Sequence, residues 1–229
     1  MSIARFFVGL DLGQAHDPSA LAVLERKELT GEWDAVMYAY RKMAAMQLRY
    51  LERIPLGTPY PEVVERVREV TRSGELSKQC YLMVDATGTG RPVVDLLRQA
   101  DLDCCMLPAV ITSGHTESYS DGYYHVPKRD LIVGLQILMQ RGGLQIASKM
   151  AFGRALVEEM TAMRVTQTAR GHEQFGAWRE GEHDDLVLAV ALALWGAKKV
   201  CPRGVSGDDG VWRWEGERAG GGSRTKTER

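Results

Sequence analysis

The first quarter of the chain shows strand-like hydrophobic runs. Phe6, Phe7, Val8, Leu10 and Leu12 crowd more densely than simple alternation gives, which predicts a strand covered on both faces. Gly13 and the His16-Asp17-Pro18-Ser19 cluster turn the chain. Ser19 to Glu25 returns with Leu21 and Val23 on one side. Alternation of Val36, Tyr38 and Tyr40 predicts a further strand over Asp34 to Met46, bent or broken before Gln47 to Ile54. The period then changes. Glu62 to Val70 sets Val63, Val67 and Val70 on one helical face, with Pro61 where a first turn tolerates proline.

Gln79 to Val84 is a second buried strand, followed by Asp85-Ala86-Thr87-Gly88-Thr89-Gly90 and a helix that Pro92 opens. Strand, glycine-rich turn and helix make half of a βαβ unit. Cys104 to Leu107 and then Ala109 to Ile111 read as strand, and Thr112 to Asp121 as a polar, mobile loop. Pro127 to Arg141 is a helix with Leu131, Leu135 and Leu138 inward, closed by Gly142-Gly143. A short strand over Leu144 to Ala147, a helix over Phe152 to Arg164 and a β-hairpin over Val165 to Trp178 follow. The last helix, Glu182 to Lys199, is apolar all round from Leu186 to Ala197 and therefore buried. Asp184 and Asp185 in its first turn and Lys198 and Lys199 in its last suit the helix dipole. The pattern predicts one α/β domain over residues 1–200. A glycine-rich, disordered tail over 201–229 carries Trp212 and Trp214 as possible docking residues.

Composition narrows the class only a little. The chain has 229 residues, 45% hydrophobic and 26% charged, ordinary values for a globular domain. A formal net charge of −1 means that any nucleic-acid binding needs a local basic face. The cysteines Cys80, Cys104, Cys105 and Cys201 form no CxxC pair, and no signal peptide precedes the first strand, which points to a reduced cytosol. The apolar run of the last helix is too short to span a bilayer.

The acids change the picture more. Asp11 lies near the end of the first strand, Asp85 leaves the second buried strand, and Asp184 and Asp185 open the buried helix. In α/β folds the carboxyl ends of strands and the N-termini of the following helices gather on one side. Two carboxylates ~5 Å apart at an effective dielectric of ~20 repel by ~3 kcal/mol, so three or four together call for divalent cations. All-oxygen donors select Mg²⁺ or Mn²⁺ over zinc, and two such ions clamp the attacking and leaving oxygens of a phosphodiester. Taken singly, each acid has a plainer reading: Asp184 as a helix cap, Asp85 and Asp17 as turn formers, Asp11 as a solvated strand end. His183 reads as a residue that orients an acid or the leaving group rather than as a ligand.

With GLDLGQAHDPSALAV, VDATGTG and GEHDDLVLAVALA in hand, the chain resembles the nuclease domain of phage large terminase subunits over roughly Ile3 to Lys199. The resemblance implies a single RNase H-like domain, a mixed sheet flanked by helices. It also implies a two-metal endonuclease that cuts double-stranded DNA during genome packaging. Asp11 would bridge two Mg²⁺ or Mn²⁺ ions, with Asp85 on one and Asp184 or Asp185 on the other. Asp185 is slightly favoured because it directly precedes the apolar helix. Asp17 matches a further acid of relatives. The cleavage products implied are a 3′-hydroxyl and a 5′-phosphate.

Large terminases normally carry an ATPase before the nuclease. No GxxxxGK[ST] occurs here and Met1 is followed almost at once by the first strand. The expectation is a free-standing nuclease or a fragment. Its partners would be double-stranded DNA and a separate packaging ATPase, small terminase subunit or portal, with no membrane, in the cytoplasm of a phage-infected or prophage-carrying bacterium. Bases outnumber acids from Lys128 to Arg170, and Lys128, Arg129, Arg141, Lys149 and Arg154 are the candidate phosphate-tracking residues. An ordinary solvated surface explains them almost as well. Three other classes remain: a Holliday-junction resolvase-like nuclease, an actin-like or sugar-kinase ATPase with DATGTG as phosphate loop, and a non-catalytic packaging adaptor.

Overall fold

The computed structural model describes residues 5–13, 17–88, 90–167, 173–177 and 183–201, with backbone alone at 28–29, 31, 41–44, 164–167 and 173–177. The expectations for His16, Arg170, Trp212, Trp214 and the tail beyond Cys201 lie outside the described residues.

Strand β1 (Phe6–Asp11) is buried along its whole length, as its dense apolar run requires. It pairs antiparallel with β2 (Ser19–Asp34), which pairs antiparallel with β3 (Ala39–Ile54). Helix α1 (Tyr60–Thr71) buries Val63, Val64 and Val67. Then come β4 (Cys80–Asp85), α2 (Gly90–Gln99), β5 (Cys104–Thr112), β6 (Ser118–Ser120), β7 (Tyr123–Pro127), α3 (Lys128–Gln140), β8 (Leu144–Ile146) and α4 (Gly153–Ala162). The strands β9 (Met163–Gln167) and β10 (Glu173–Ala177) form a separate hairpin, and α5 (Asp185–Val200) closes the described chain. The main sheet is eight-stranded, in the order β6-β7-β5-β4-β1-β2-β3-β8. Strands β1, β4, β5 and β7 run parallel to one another, and antiparallel pairs flank them.

The two sheet faces have separate cores. Phe6, Val8, Leu10, Leu82 and Val84 meet Val63, Val67, Val93, Val94 and Leu97 of α1 and α2. Phe7, Ala20, Ala22, Met83 and Ala109 meet α5 together with Leu131, Ile132 and Leu135 of α3 and Leu156 of α4. Helix α5 is buried from Asp185 to Ala197 and crosses β1, β2 and β4. Gly9 makes that crossing close. A Cβ at Gly9 would lie 1.9 Å from the Ala189 carbonyl oxygen, so no side chain fits between strand and helix. No helix among the described residues is long and apolar enough to cross a membrane.

The expected strand from Asp34 does not form there. Residues 35–38 are a turn, with Val36 and Tyr38 exposed on it. The Asp34 carboxylate accepts the Val36 and Met37 N–H groups at 2.9 and 3.1 Å, and this local bonding outcompetes the alternating pattern. Strand β3 then runs unbroken to Ile54. Nor is 112–121 an unstructured loop: β6 lies inside it and pairs with β7, a strand the pattern did not predict. Asp121 and Gly122, at φ 54° and 82°, form the two-residue turn between them. The two segments expected over 104–111 are one strand, β5.

Candidate metal centre

Sheet register builds the site. Leu10 of β1 lies beside Val84 of parallel β4, so Asp11 and Asp85 are neighbours one residue further on. On the other side Asp11 faces Ala20 of β2, and Ala20 faces Arg53 of β3. Residues level across a sheet share a face, and this row faces α5. Helix α5 starts over the same row and brings Asp184 and Asp185.

Asp85 is fixed by its turn. Thr87 donates to it from both its N–H, at 2.8 Å, and its hydroxyl. The Thr87 hydroxyl in turn accepts the Ile111 N–H at 2.8 Å. Gly90 permits the turn, since a Cβ there would sit 2.4 Å from the Asp85 carbonyl oxygen.

The electrostatics record the convergence. Burial pushes the Asp11 carboxyl well above the usual carboxylate range. The charges of Asp85, Asp184 and Asp185 push it the same way, and Lys128 opposes them. Burial also raises Asp85, against the Thr87 hydrogen bonds, Lys128 and hydrogen bonding with Asp11. Asp11 thus feels the charges of the other three acids, and Asp85 is close enough to hydrogen-bond with it.

Two bases sit among these acids, and the sequence had assigned neither to this place. Lys128 Nζ donates to Asp184 Oδ2 at 2.6 Å. It is half-buried at the mouth of the acid cluster, not on an open surface with the other phosphate-tracking candidates. Arg53 grips Asp185 from Nε at 2.9 Å and from Nη2 at 3.2 Å, and also ion-pairs with Glu159 of α4. Glu159 was missed as well. Its carboxylate accepts the Val187 N–H at 3.2 Å. Burial and the Asp185 charge push it up to about 7 despite Arg53, since one guanidinium serves two carboxylates. The signals were readable: Arg53 shares the core-facing parity of Leu51, and Glu159 shares the stripe of Leu156 and Met163.

Other expected residues fall elsewhere. Asp17 is exposed and turned to His183, with Oδ1 3.6 Å from Nδ1, too far for a hydrogen bond. His183 Nδ1 is buried and unpaired among the described residues. Arg129, Arg141 and Lys149 are exposed, and Arg154 is paired with Glu158 at 2.8 Å.

Among the described residues, no three acidic, histidine or cysteine side chains are already gathered closely enough to hold an ion. Asp184 and Asp185 are each drawn to a base instead. The donor set nonetheless fits a hard cation. It is all oxygen, it is buried at its centre, and an ammonium already occupies its mouth as a stand-in positive charge. Asp11, Asp85 and Asp184 are the residues that would hold such an ion.

The fold is RNase H-like, a mixed eight-stranded sheet flanked by helices, and solved structures agree on it. The large terminase nuclease from thermophilic phage G20c with bound magnesium is 24% identical over 83% of this chain and 80% of that one, with a TM-score of 0.55. The nuclease domain of the Thermus phage P74-26 large terminase is 21% identical over 91% and 83%, at 0.53. The nuclease domain of the large terminase subunit of bacterial virus Sf6, a mutant form with manganese and beta-thujaplicinol, is 11% identical over 85% and 89%, at 0.56. No protein-family model and no curated protein matches the chain. The chain has the fold of large terminase nuclease domains.

Proposed function

We propose that this chain is a metal-dependent endodeoxyribonuclease of the phage terminase type. It would cut double-stranded DNA by two-metal-ion phosphodiester hydrolysis with Mg²⁺ or Mn²⁺. The observation that carries the reading is the register that sets Asp11 and Asp85 on adjacent parallel strands, with Asp184 at the start of the helix over them and its charge acting on Asp11, in a terminase-nuclease fold. The neighbours solved with magnesium or manganese support a hard divalent ion.

Bound ions would supply an activated water and neutralise charge on the leaving oxygen. The chain's own residues do the rest. Asp11 and Asp85 are held rigid at adjacent strand ends, and Thr87 fixes the Asp85 rotamer. Lys128 stands where it can meet a phosphate oxygen once its hold on Asp184 is released. Arg129, Arg141, Lys149 and Arg154 are the outlying phosphate contacts, which set position without reading sequence. The partners that follow are double-stranded DNA and a separate packaging motor, small terminase subunit or portal, in the cytoplasm of the bacterial host.

A plasmid-nicking assay with Mg²⁺, Mn²⁺ or EDTA tests this. Nicking and linearisation with either metal, and none in EDTA, is expected. Cutting confined to four-way junctions would replace the reading with a resolvase, and metal-independent cutting would overturn it.

A further inference from the structure

Two adjacent acids open α5, and the nuclease centre needs one of them. We propose that Arg53 and Glu159 are positioning residues that draw Asp185 into the protein and cap α5 from outside. Asp184, held only by the flexible Lys128, is thereby available to complete the ion site with Asp11 and Asp85. The proposal rests on the nuclease reading of this site.

The helix start carries the argument. Asp184 is the residue whose carbonyl accepts the first bond of α5, from Leu188 N–H at 2.9 Å. A residue in that place ordinarily turns its side chain onto an N–H of the first turn. Asp184 does not, and its carboxylate makes no capping bond. The N–H of Val187 is satisfied by Glu159, from α4. That group would otherwise be an orphan of the helix end. Glu159 therefore does in trans what Asp184 would do in cis, and the Asp184 carboxylate is left to Lys128, with its charge acting on Asp11.

Arg53 accounts for the other acid. Both Asp185 oxygens are taken by its guanidinium, at 2.9 and 3.2 Å, and Asp185 is 3% exposed. The same guanidinium holds Glu159. One planar fork thus ties β3, α4 and α5 together, level with Asp11 across the sheet. Small Ala20, between Asp11 and Arg53 in that row, leaves the face open to the helix start. A lysine has no fork and cannot serve two carboxylates in this way.

Thermal melting and plasmid nicking across a Mn²⁺ titration test the idea in Arg53→Lys, Glu159→Gln, Asp184→Asn and Asp185→Asn. Arg53→Lys keeps the charge and Glu159→Gln keeps an acceptor for Val187, so both should fold. Each is expected to raise the Mn²⁺ needed for half-maximal stabilisation and nicking by about 10–100-fold, as for groups that orient ligands. Nicking should recover at saturating Mn²⁺. Asp184→Asn should lose the Mn²⁺ response, while Asp185→Asn keeps it at higher Mn²⁺. A wild-type Mn²⁺ requirement in Arg53→Lys and Glu159→Gln, even with lower metal-free melting, would make their role structural and overturn the proposal. So would loss of the response in Asp185→Asn but not in Asp184→Asn. A wild-type protein that neither responds to Mn²⁺ nor nicks DNA would instead defeat the nuclease reading itself.

Discussion

Replacing Asp11 with Asn should stabilise the metal-free protein while ending its metal-dependent cleavage. Asp11 and Asp85 sit level on neighbouring parallel strands, which lie ~4.8 Å apart. Two carboxylates at ~5 Å and an effective dielectric of ~20 repel by ~3 kcal/mol. Lys128 offsets part of that, leaving a gain of about 1–2 kcal/mol for the neutral amide wherever Asp11 is ionised. In a chain of this length that raises Tm by about 2–8 °C. The pH dependence has a definite sign. Burial and like charge raise Asp11 above 3.8 in the folded state. The folded protein therefore keeps a proton that the unfolded chain has released. The resulting stability is complete below about pH 4 and is lost as pH rises through the raised value. Asparagine has no such proton to lose, so its advantage should be absent near pH 4 and grow as pH rises through the raised value. Thermal unfolding in EDTA at pH 4, 6 and 8, paired with Mn²⁺ nicking assays, reads both effects. An Asp11→Asn protein less stable than wild type at pH 8, or shifted equally at every pH, would show that Asp11 is a structural residue and the charge-crowding argument is wrong.

Glu159 gives a second pH test. Its rise from 4.5 to about 7 means that metal-free stability falls by about 3 kcal/mol as pH climbs across that window. Urea titrations of Glu159→Gln should lack this part of the slope, and an unchanged slope would exonerate Glu159. Lys128→Met removes the ammonium beside Asp184. Its metal-free Tm should fall while the rise on adding Mn²⁺ grows, because the ion no longer competes with Lys128; a smaller rise would mean that Lys128 helps to build the ion site. Gly9→Ala drives a methyl into the α5 backbone and should cost about 3 kcal/mol or more in urea titration. A cost under ~1 kcal/mol would mean that strand and helix can part cheaply.

Periodicity and turn chemistry made most of the frame legible. Dense apolar runs marked β1 and β4 as central, and the all-apolar helix announced that α5 lies buried. Failures fell where a local interaction overruled the pattern. Asp34 bends the chain at Val36, where alternation argued for strand. Strand β7 was lost because Tyr123 to Pro127 is short and polar-flanked, and only pairing with β5 and β6 makes it a strand. The acids were legible because each closes or opens a buried element. The bases carried a weaker signal: Lys128 stood among several surface cations, and Arg53 had only its shared parity with Leu51 to mark it. Which acid each base meets depends on where α3, α4 and β3 lie over the sheet, and no spacing along the chain encodes that.

That tertiary detail decides how the centre handles charge. Among the described residues, Arg53 and Lys128 are the bases that ion-pair with the group Asp11, Asp85, Asp184, Asp185 and Glu159. Fully ionised, the group carries three negative charges in excess. Burial is the largest reason that Asp11, Asp85 and Glu159 are all pushed up, and neighbouring acids add to it at Asp11 and Glu159. The two bases are not equally replaceable. Arg53 is held through a planar fork on two carboxylates at once, and a guanidinium does not lose its proton. Lys128 holds Asp184 through one ion pair, from a flexible, partly buried stem. On the proposed reading, an arriving divalent ion would displace the ammonium from Asp184 far more readily than the guanidinium from Asp185. The choice between two neighbouring aspartates follows from the kind of base each one meets.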